Sequence, residues 1–219
     1  MRKNSTPEWL PRYQQTAIIL LSVFYLVGVI GHWHPATLPA MLVLTPYTLA
    51  GTAVVGFLPF VVEKRYRLLA WAGATFIVTL ALEIVGVATG WVFGSYDYGA
   101  TLGSQVLGAP LLIGINWTLV ILGALAAAER LTGRPVPAAV IAALLCVVFD
   151  YIMEPAAIAL DYWSWEGDTI PLQNYLAWGV IALVFAGLFK RMRLTSNHPL
   201  PLAILIVQGL FFLLLRWVV

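Results

Sequence analysis

Charge is scarce in this 219-residue chain. Only 10 % of it is Asp, Glu, Lys or Arg, against about 25 % in an ordinary soluble domain. Set beside a hydrophobic content of 61 %, that shortage leaves no stretch from which a soluble domain could be built. Cysteine occurs once, at Cys146. This excludes an internal disulfide and a thiolate metal cluster, and Cys146, set in an apolar run, reads as a packing residue. Histidine occurs three times, at His32, His34 and His198. The histidine-rich di-iron sites of membrane oxygenases need many more, and the His32-x-His34 pair reads as a loop feature, so no metal site is expected. The last apolar run, 200–215, contains no lysine, which excludes the retinal Schiff base of a light-driven seven-helix protein. The net charge of +2 says little by itself, and no nucleic-acid partner is expected.

Apolar runs, by contrast, recur along the whole length. In lipid a spanning segment must satisfy its own backbone hydrogen bonds, so each run is expected to be a helix. Seven are predicted, at 16–31, 38–62, 68–92, 106–128, 138–160, 174–189 and 200–215. The expected fold class is all-α, a polytopic integral membrane protein with a seven-helix bundle, and 1–219 forms a single transmembrane domain. Pro39, Pro46 and Pro59 predict kinks in the second helix. The first run has no small-x-small cleavage site after it, only His32-Trp33-His34-Pro35, so it is read as a membrane helix and not a leader.

Basic residues give the expected orientation. Arg2, Lys3 and Arg12 precede the first run, and Lys64, Arg65 and Arg67 separate the second from the third. Arg130 and Arg134 lie between the fourth and fifth, and Lys190, Arg191 and Arg193 between the sixth and seventh. The alternate connections carry none, and Arg216 remains near the end. The positive-inside rule then puts the N-terminus in the cytoplasm, the C-terminus outside and the protein in the cell membrane. Seven of the ten acids fall in the outer half: Asp97, Asp161, Glu166 and Asp168 in loops, and Glu83, Asp150 and Glu154 within helices.

Those last three carry the functional argument. A charged group at membrane depth costs roughly 2.5–3.5 kcal/mol on insertion scales and is rare without a task. Asp150 and Glu154 are four residues apart, hence on one helix face, and Asp161 continues that face if the helix persists. Pro155 cannot donate a backbone hydrogen bond and frees the carbonyl of Tyr151 beside them. Two close carboxyl groups in low dielectric cannot both ionise cheaply, so one is expected to keep its proton, which suits general acid–base chemistry. Glu83 shares a helix stripe with Gly86, Gly90 and Gly94, whose small-x-x-x-small spacing predicts close helix packing. It serves as a hydrogen-bond anchor or as part of the site.

Two aromatic loops follow the acid-bearing helices. One contains Tyr96-Asp97-Tyr98, the other Trp163-Ser164-Trp165. The helix after each carries proline, asparagine and tryptophan in that order: Pro110, Asn116 and Trp117, then Pro171, Asn174 and Trp178. The pattern suggests two related hairpins, 68–128 and 138–189. Interfacial aromatics anchor membrane proteins, but rings interleaved with acids also suit a cation held against their faces.

These residues carry a resemblance. Glu83, Trp91, Phe93-Gly94-Ser95-Tyr96-Asp97-Tyr98, Leu102-Gly103, Gly108-Ala109-Pro110 and Asn116-Trp117 form one half of it. Asp150, Glu154-Pro155, Trp163-Ser164-Trp165, Ile170-Pro171-Leu172, Asn174-Tyr175 and Trp178-Gly179 form the other. Together they resemble the membrane carotenoid hydratases, the CruF-type carotenoid biosynthesis proteins, which include carotenoid 1,2-hydratases and bisanhydrobacterioruberin hydratases. The match covers 83–179. Where the family pattern carries Asp before the proline of the fifth helix, this chain carries Glu154.

The resemblance implies a cofactor-independent hydro-lyase of carotenoid biosynthesis that adds water to a terminal isoprenoid double bond. A proton goes to the less substituted carbon, and water, assisted by a base, traps the tertiary cation. Asp150 and Glu154 are the expected acid–base pair, with Glu83 and Asp97 as further catalytic candidates. Tyr96, Tyr98, Trp163, Trp165, Trp117 and Trp178 are candidates for binding the end group or cation, and Asn116 and Asn174 for orienting water or an acid. The implied partners are a carotenoid drawn from the lipid phase, membrane lipids and other enzymes of the pathway. A lycopene-cyclase-like enzyme would use the same protonation with an internal alkene in place of water. A proton-coupled transporter would use the acids as a relay, and a scaffold for pigment enzymes would not need them.

Overall fold

The structure, a computed structural model, describes residues 7–196 and 198–218. Arg2 and Lys3 of the expected basic set, and the side chain of Asp168, lie outside the described residues. Seven helices dominate: α1 (Leu10–Trp33), α2 (Leu38–Val62), α3 (Tyr66–Thr89), α4 (Leu111–Leu131), α5 (Pro135–Ala159), α6 (Leu172–Arg191) and α7 (Pro199–Leu215). The first six are long and apolar enough to cross a membrane. α7 is apolar but has 17 residues, at the short end of the spanning range. Proline opens α1, α2, α5 and α7, where its missing N–H is no loss. α2 runs through Pro46 and Pro59, and α5 through Pro155.

α4 is the axle of the bundle. Every residue from Trp117 to Ala126 on it is buried, as expected of a helix that is apolar all round. It packs on α3, α5 and α7. At Gly123 a β-carbon would sit 2.6 Å from the carbonyl oxygen of Pro201, so the absence of a side chain lets α7 approach closely. α1 and α2 pack on the flank of this core, giving it Tyr25, Val29 and Phe60, and present Ile19, Val23, Val27, Val43 and Val54 outward.

Two expectations need correction. The fourth helix does not begin at 106. Residues 105–110 form two short paired strands, β2 (Gln105–Val106) and β3 (Ala109–Pro110), turned by Leu107 and Gly108 at positive φ. The Gly86-Gly90-Gly94 stripe is not a helix face either. α3 stops at Thr89, and Gly90 caps it at φ 69° with its N–H on the carbonyl of Gly86. Gly94, at φ 106°, lies in the turn beyond, where a β-carbon would come within 2.5 Å of Pro171 Cγ.

The two aromatic loops pair with each other. β1 (Tyr96–Tyr98) runs antiparallel to β4 (Trp163–Trp165), in the register Tyr96 to Trp165, Asp97 to Ser164 and Tyr98 to Trp163. A 3₁₀ turn (Glu166–Asp168) leads on toward α6. This small sheet closes one end of the bundle. At the other end the basic connections meet: Arg65 donates to the carbonyl of Thr195, Arg67 to that of Met192, and Lys190 pairs with Glu129 at 2.8 Å.

Candidate active site

Strand geometry aims the rings. Side chains alternate across a strand, so the outer members of each triplet turn one way and the middle one the other. Tyr96, Trp163 and Trp165 are buried and Tyr98 is half-buried, while Asp97 and Ser164 are exposed. The inward rings meet across the strands, Tyr96 with Trp165 at 5.0 Å and Tyr98 with Trp163 at 6.0 Å between centroids.

Below that aromatic roof lie the three helix acids. All face the interior: Glu83, Asp150 and Glu154 are 4 %, 0 % and 1 % exposed. Glu83 on α3 accepts from the Tyr96 hydroxyl at 2.5 Å, the Tyr98 hydroxyl at 2.7 Å and Trp117 Nε1 at 2.8 Å. Glu154 on α5 has a matching set. Its Oε2 accepts from Trp163 Nε1 at 3.0 Å and Trp165 Nε1 at 2.9 Å, and its Oε1 from Asn174 Nδ2 at 3.0 Å. Each glutamate is thus held by two rings from the strand that follows its own helix. The indoles of Trp117 and Trp178 stack between the halves, 3.3 Å apart at 15°.

Asp150 is held differently. Its Oδ2 accepts from the same Asn174 Nδ2, at 2.7 Å, and its Oδ1 is buried with no partner among the described residues. One amide therefore bridges the two carboxyl groups of α5. A cavity of about 20 Å³ adjoins all three acids, bounded also by Phe93, Met153 and Trp178. That is room for about one water molecule in a polar setting.

The phenols respond to this company. Burial, then the neighbouring Glu83 carboxylate, pushes Tyr96 and Tyr98 well above the ordinary phenol range. Both remain hydrogen-bond donors at any physiological pH.

Placement of the predicted site residues is uneven. Glu83, Asp150, Glu154, Tyr96, Tyr98, Trp117, Trp163, Trp165, Asn174 and Trp178 converge on one cluster. Asp97 does not join it, because the middle residue of β1 points the opposite way. Nor does Asp161, since α5 ends at Ala159 and Asp161 turns outward at φ 56°. Asn116 is buried but lines a neighbouring cavity with Leu49 and Phe212. Sequence reasoning missed Phe93, Ile113 and Met153, which line the acid cavity. Met153 had a signal, since it falls three residues after Asp150 on the same helix face. Among the described residues no group of three or more His, Cys, Asp or Glu side chains is placed to hold a metal ion.

Comparison with known proteins bears on this cluster. No solved structure matches the chain. A bisanhydrobacterioruberin hydratase from Haloarcula japonica is 31 % identical over 198 residues, covering 78 % of this chain and 67 % of that one. The family model described as "Carotenoid biosynthesis protein" matches residues 43–219, which include every residue of the acid cluster. The chain belongs to that family of carotenoid biosynthesis proteins.

Proposed function

We propose that this protein hydrates a terminal isoprenoid double bond of a carotenoid to a tertiary alcohol, by acid–base catalysis through a carbocation. The observation that carries the reading is the Asp150–Asn174–Glu154 bridge, buried beside a cavity the size of a water molecule. The relative's name adds support for hydration as the reaction.

The donors around each acid suggest separate roles. Glu154 and Glu83 each accept three hydrogen bonds, from groups that suit an ionised carboxylate. Asp150 accepts one and has a free oxygen, the natural seat for a proton to be given away. Asp150 donates it to the less substituted alkene carbon. The positive charge then grows on the tertiary carbon, beside the ring faces of Phe93, Tyr96 and Trp165 and the carboxylate of Glu154. Water in the cavity adds its oxygen to that carbon, and Glu154 takes the proton released. One proton leaves the pair for carbon and one returns from water, so the pair ends with the number it began with. No redox step is involved.

The cavity at the acids has room for a water molecule but is several times too small for a dimethyl-substituted alkene end. The end reaches Asp150 only when Met153 and Ile113 swing aside. The basic ends of the helices favour a cytoplasmic N-terminus, which places the acids toward the outer surface of the cell membrane.

Expression in cells that make lycopene, followed by mass analysis of the pigments, tests the reading. Wild type is expected to yield a product heavier by one water. Asp150→Asn and Glu154→Gln are each expected to cut it by about 10²-fold or more, the scale of a lost acid or base, while the protein still inserts. A cyclised product of unchanged mass would favour the cyclase reading. Wild-type yields of alcohol in both variants would remove the pair from the mechanism.

A further inference from the structure

The acid cavity is the inner end of a longer line of spaces. It shares Ile113, Met153 and Trp163 with a second cavity of about 20 Å³, beside Asn116. The second shares Leu49, Tyr162 and Phe212 with a third of about 130 Å³, set between α1, α2 and α7. The walls of the third are apolar and rich in rings. At its mouth Phe24, Val27 and Leu44 are 55 %, 56 % and 45 % exposed, on the lipid-facing side of the bundle.

Buried polar atoms follow the same line. Side-chain atoms without a partner among the described residues include His32 Nε2 and Gln208 Oε1 in the third cavity's lining residues, Asn116 Oδ1 in the second's and Asp150 Oδ1 in the first's. Such atoms are rare in native interiors and call for a ligand or water. A hydrocarbon can satisfy none of these atoms, so they mark places for water beside it, of the kind the hydration consumes.

We propose that this passage binds the isoprenoid chain of the substrate, which enters from lipid between α1, α2 and α7 and threads its end past Met153 to the acids. The occupant is a long unsaturated hydrocarbon, as the apolar and aromatic walls require. A phospholipid tail would fill the outer groove but would give no reason for the line of adjoining cavities that leads from it to the acids. Met153 is the gate. It is 2 % exposed, lines both inner cavities and sits between Asp150 and Glu154 on α5. Its unbranched side chain turns aside more readily than any ring or branched residue around it.

This proposal rests on the hydration reading, and two readouts separate them. Protein purified from lycopene-making cells is assayed for pigment retained per chain, and the same cells for hydrated product. The double variant Val27→Trp with Leu44→Trp narrows the mouth from both walls. Both positions face lipid, so the bundle should fold as before. The control, Val23→Trp with Val54→Trp, adds the same bulk at lipid-facing positions outside the groove (54 % and 68 % exposed). Retained pigment is expected to fall about tenfold in the groove variant and to stay at wild-type level in the control. Equal retention in the groove variant and the control would overturn the passage, whatever happens to the product. Loss of retention in the groove variant, with no hydrated product even from wild type, would keep the passage and end the hydration reading.

Discussion

Glu83 and Asp150 both lie buried in apolar helices, yet their hydrogen-bond partners differ. Glu83 is saturated by three donors, and two are phenols whose own ionisation is suppressed by burial and by its charge. This gives a testable pH dependence. Tyr96 and Tyr98 hold their protons in the folded protein well above pH 10, whereas in the unfolded chain they lose them near 10.0, the ordinary phenol value. Above about pH 10 the unfolded state therefore binds fewer protons than the folded state, and stability falls as pH rises. Below that value both states keep the protons and the phenols add no slope. Melting in detergent is expected to be insensitive to the phenols up to about pH 9 and to decline beyond 10, with a shallower decline in Tyr98→Phe. An unchanged alkaline slope in that variant would detach Tyr98 from Glu83. The sequence showed that three acids were out of place in lipid, because charge in an apolar run needs no fold to be noticed. Which donors satisfy them was hidden, since Trp117 and Asn174 reach Glu83 and the α5 pair from helices 34 and 20 or more residues away.

At the level of elements, the decisive device is the β1–β4 pair. Tyr-Asp-Tyr and Trp-Ser-Trp alternate with the period of a strand, and that alternation was there to be read. In the sequence the two triplets look like aromatic loops, because three-residue strands make no hydrophobic pattern long enough to stand out and because their partners lie 65–69 residues apart. The same short range misplaced Gly90 and Gly94. Spacing of four fits a helix stripe, but only the structure reveals that each glycine has positive φ. Gly94 is the sharper case, since its β-carbon would also strike Pro171, the residue before α6. Gly94→Ala is therefore expected to cost about 1–3 kcal/mol from the backbone conformation alone, to loosen β1 from β4 and to lower both melting temperature and product yield. Gly133→Ala is the comparison, because nothing lies within 4 Å of a β-carbon there, and it is expected to be neutral. If the two variants melt together, the turn at Gly94 does not hold the aromatic roof in place.

For the whole molecule, the helix count was legible because hydropathy and length alone decide which segments can cross lipid, whereas the burial of α4 at the centre was not. The handedness of the arrangement with respect to the membrane rests instead on a distribution of charge. Lys64, Arg65, Arg67, Arg130, Arg134, Lys190, Arg191 and Arg193 gather where α2 meets α3, α4 meets α5 and α6 meets α7, and the sheet and its acids close the opposite end. If that basic end stays in the cytoplasm, the reacting end of the substrate is handled near the outer surface. The native sequence offers a clean way to check this, because its lone cysteine, Cys146, is fully buried in α5 and should resist thiol reagents. Two single substitutions then report the two ends: Ser164→Cys on the exposed side of β4 and Gly133→Cys in the open turn between α4 and α5. A membrane-impermeant maleimide is expected to label Ser164→Cys in intact cells and Gly133→Cys only after the membrane is opened, with wild type unlabelled in both conditions. The reverse pattern would turn the protein over in the membrane and move the chemistry to the cytoplasmic surface, while leaving the acid cluster and its aromatic roof intact.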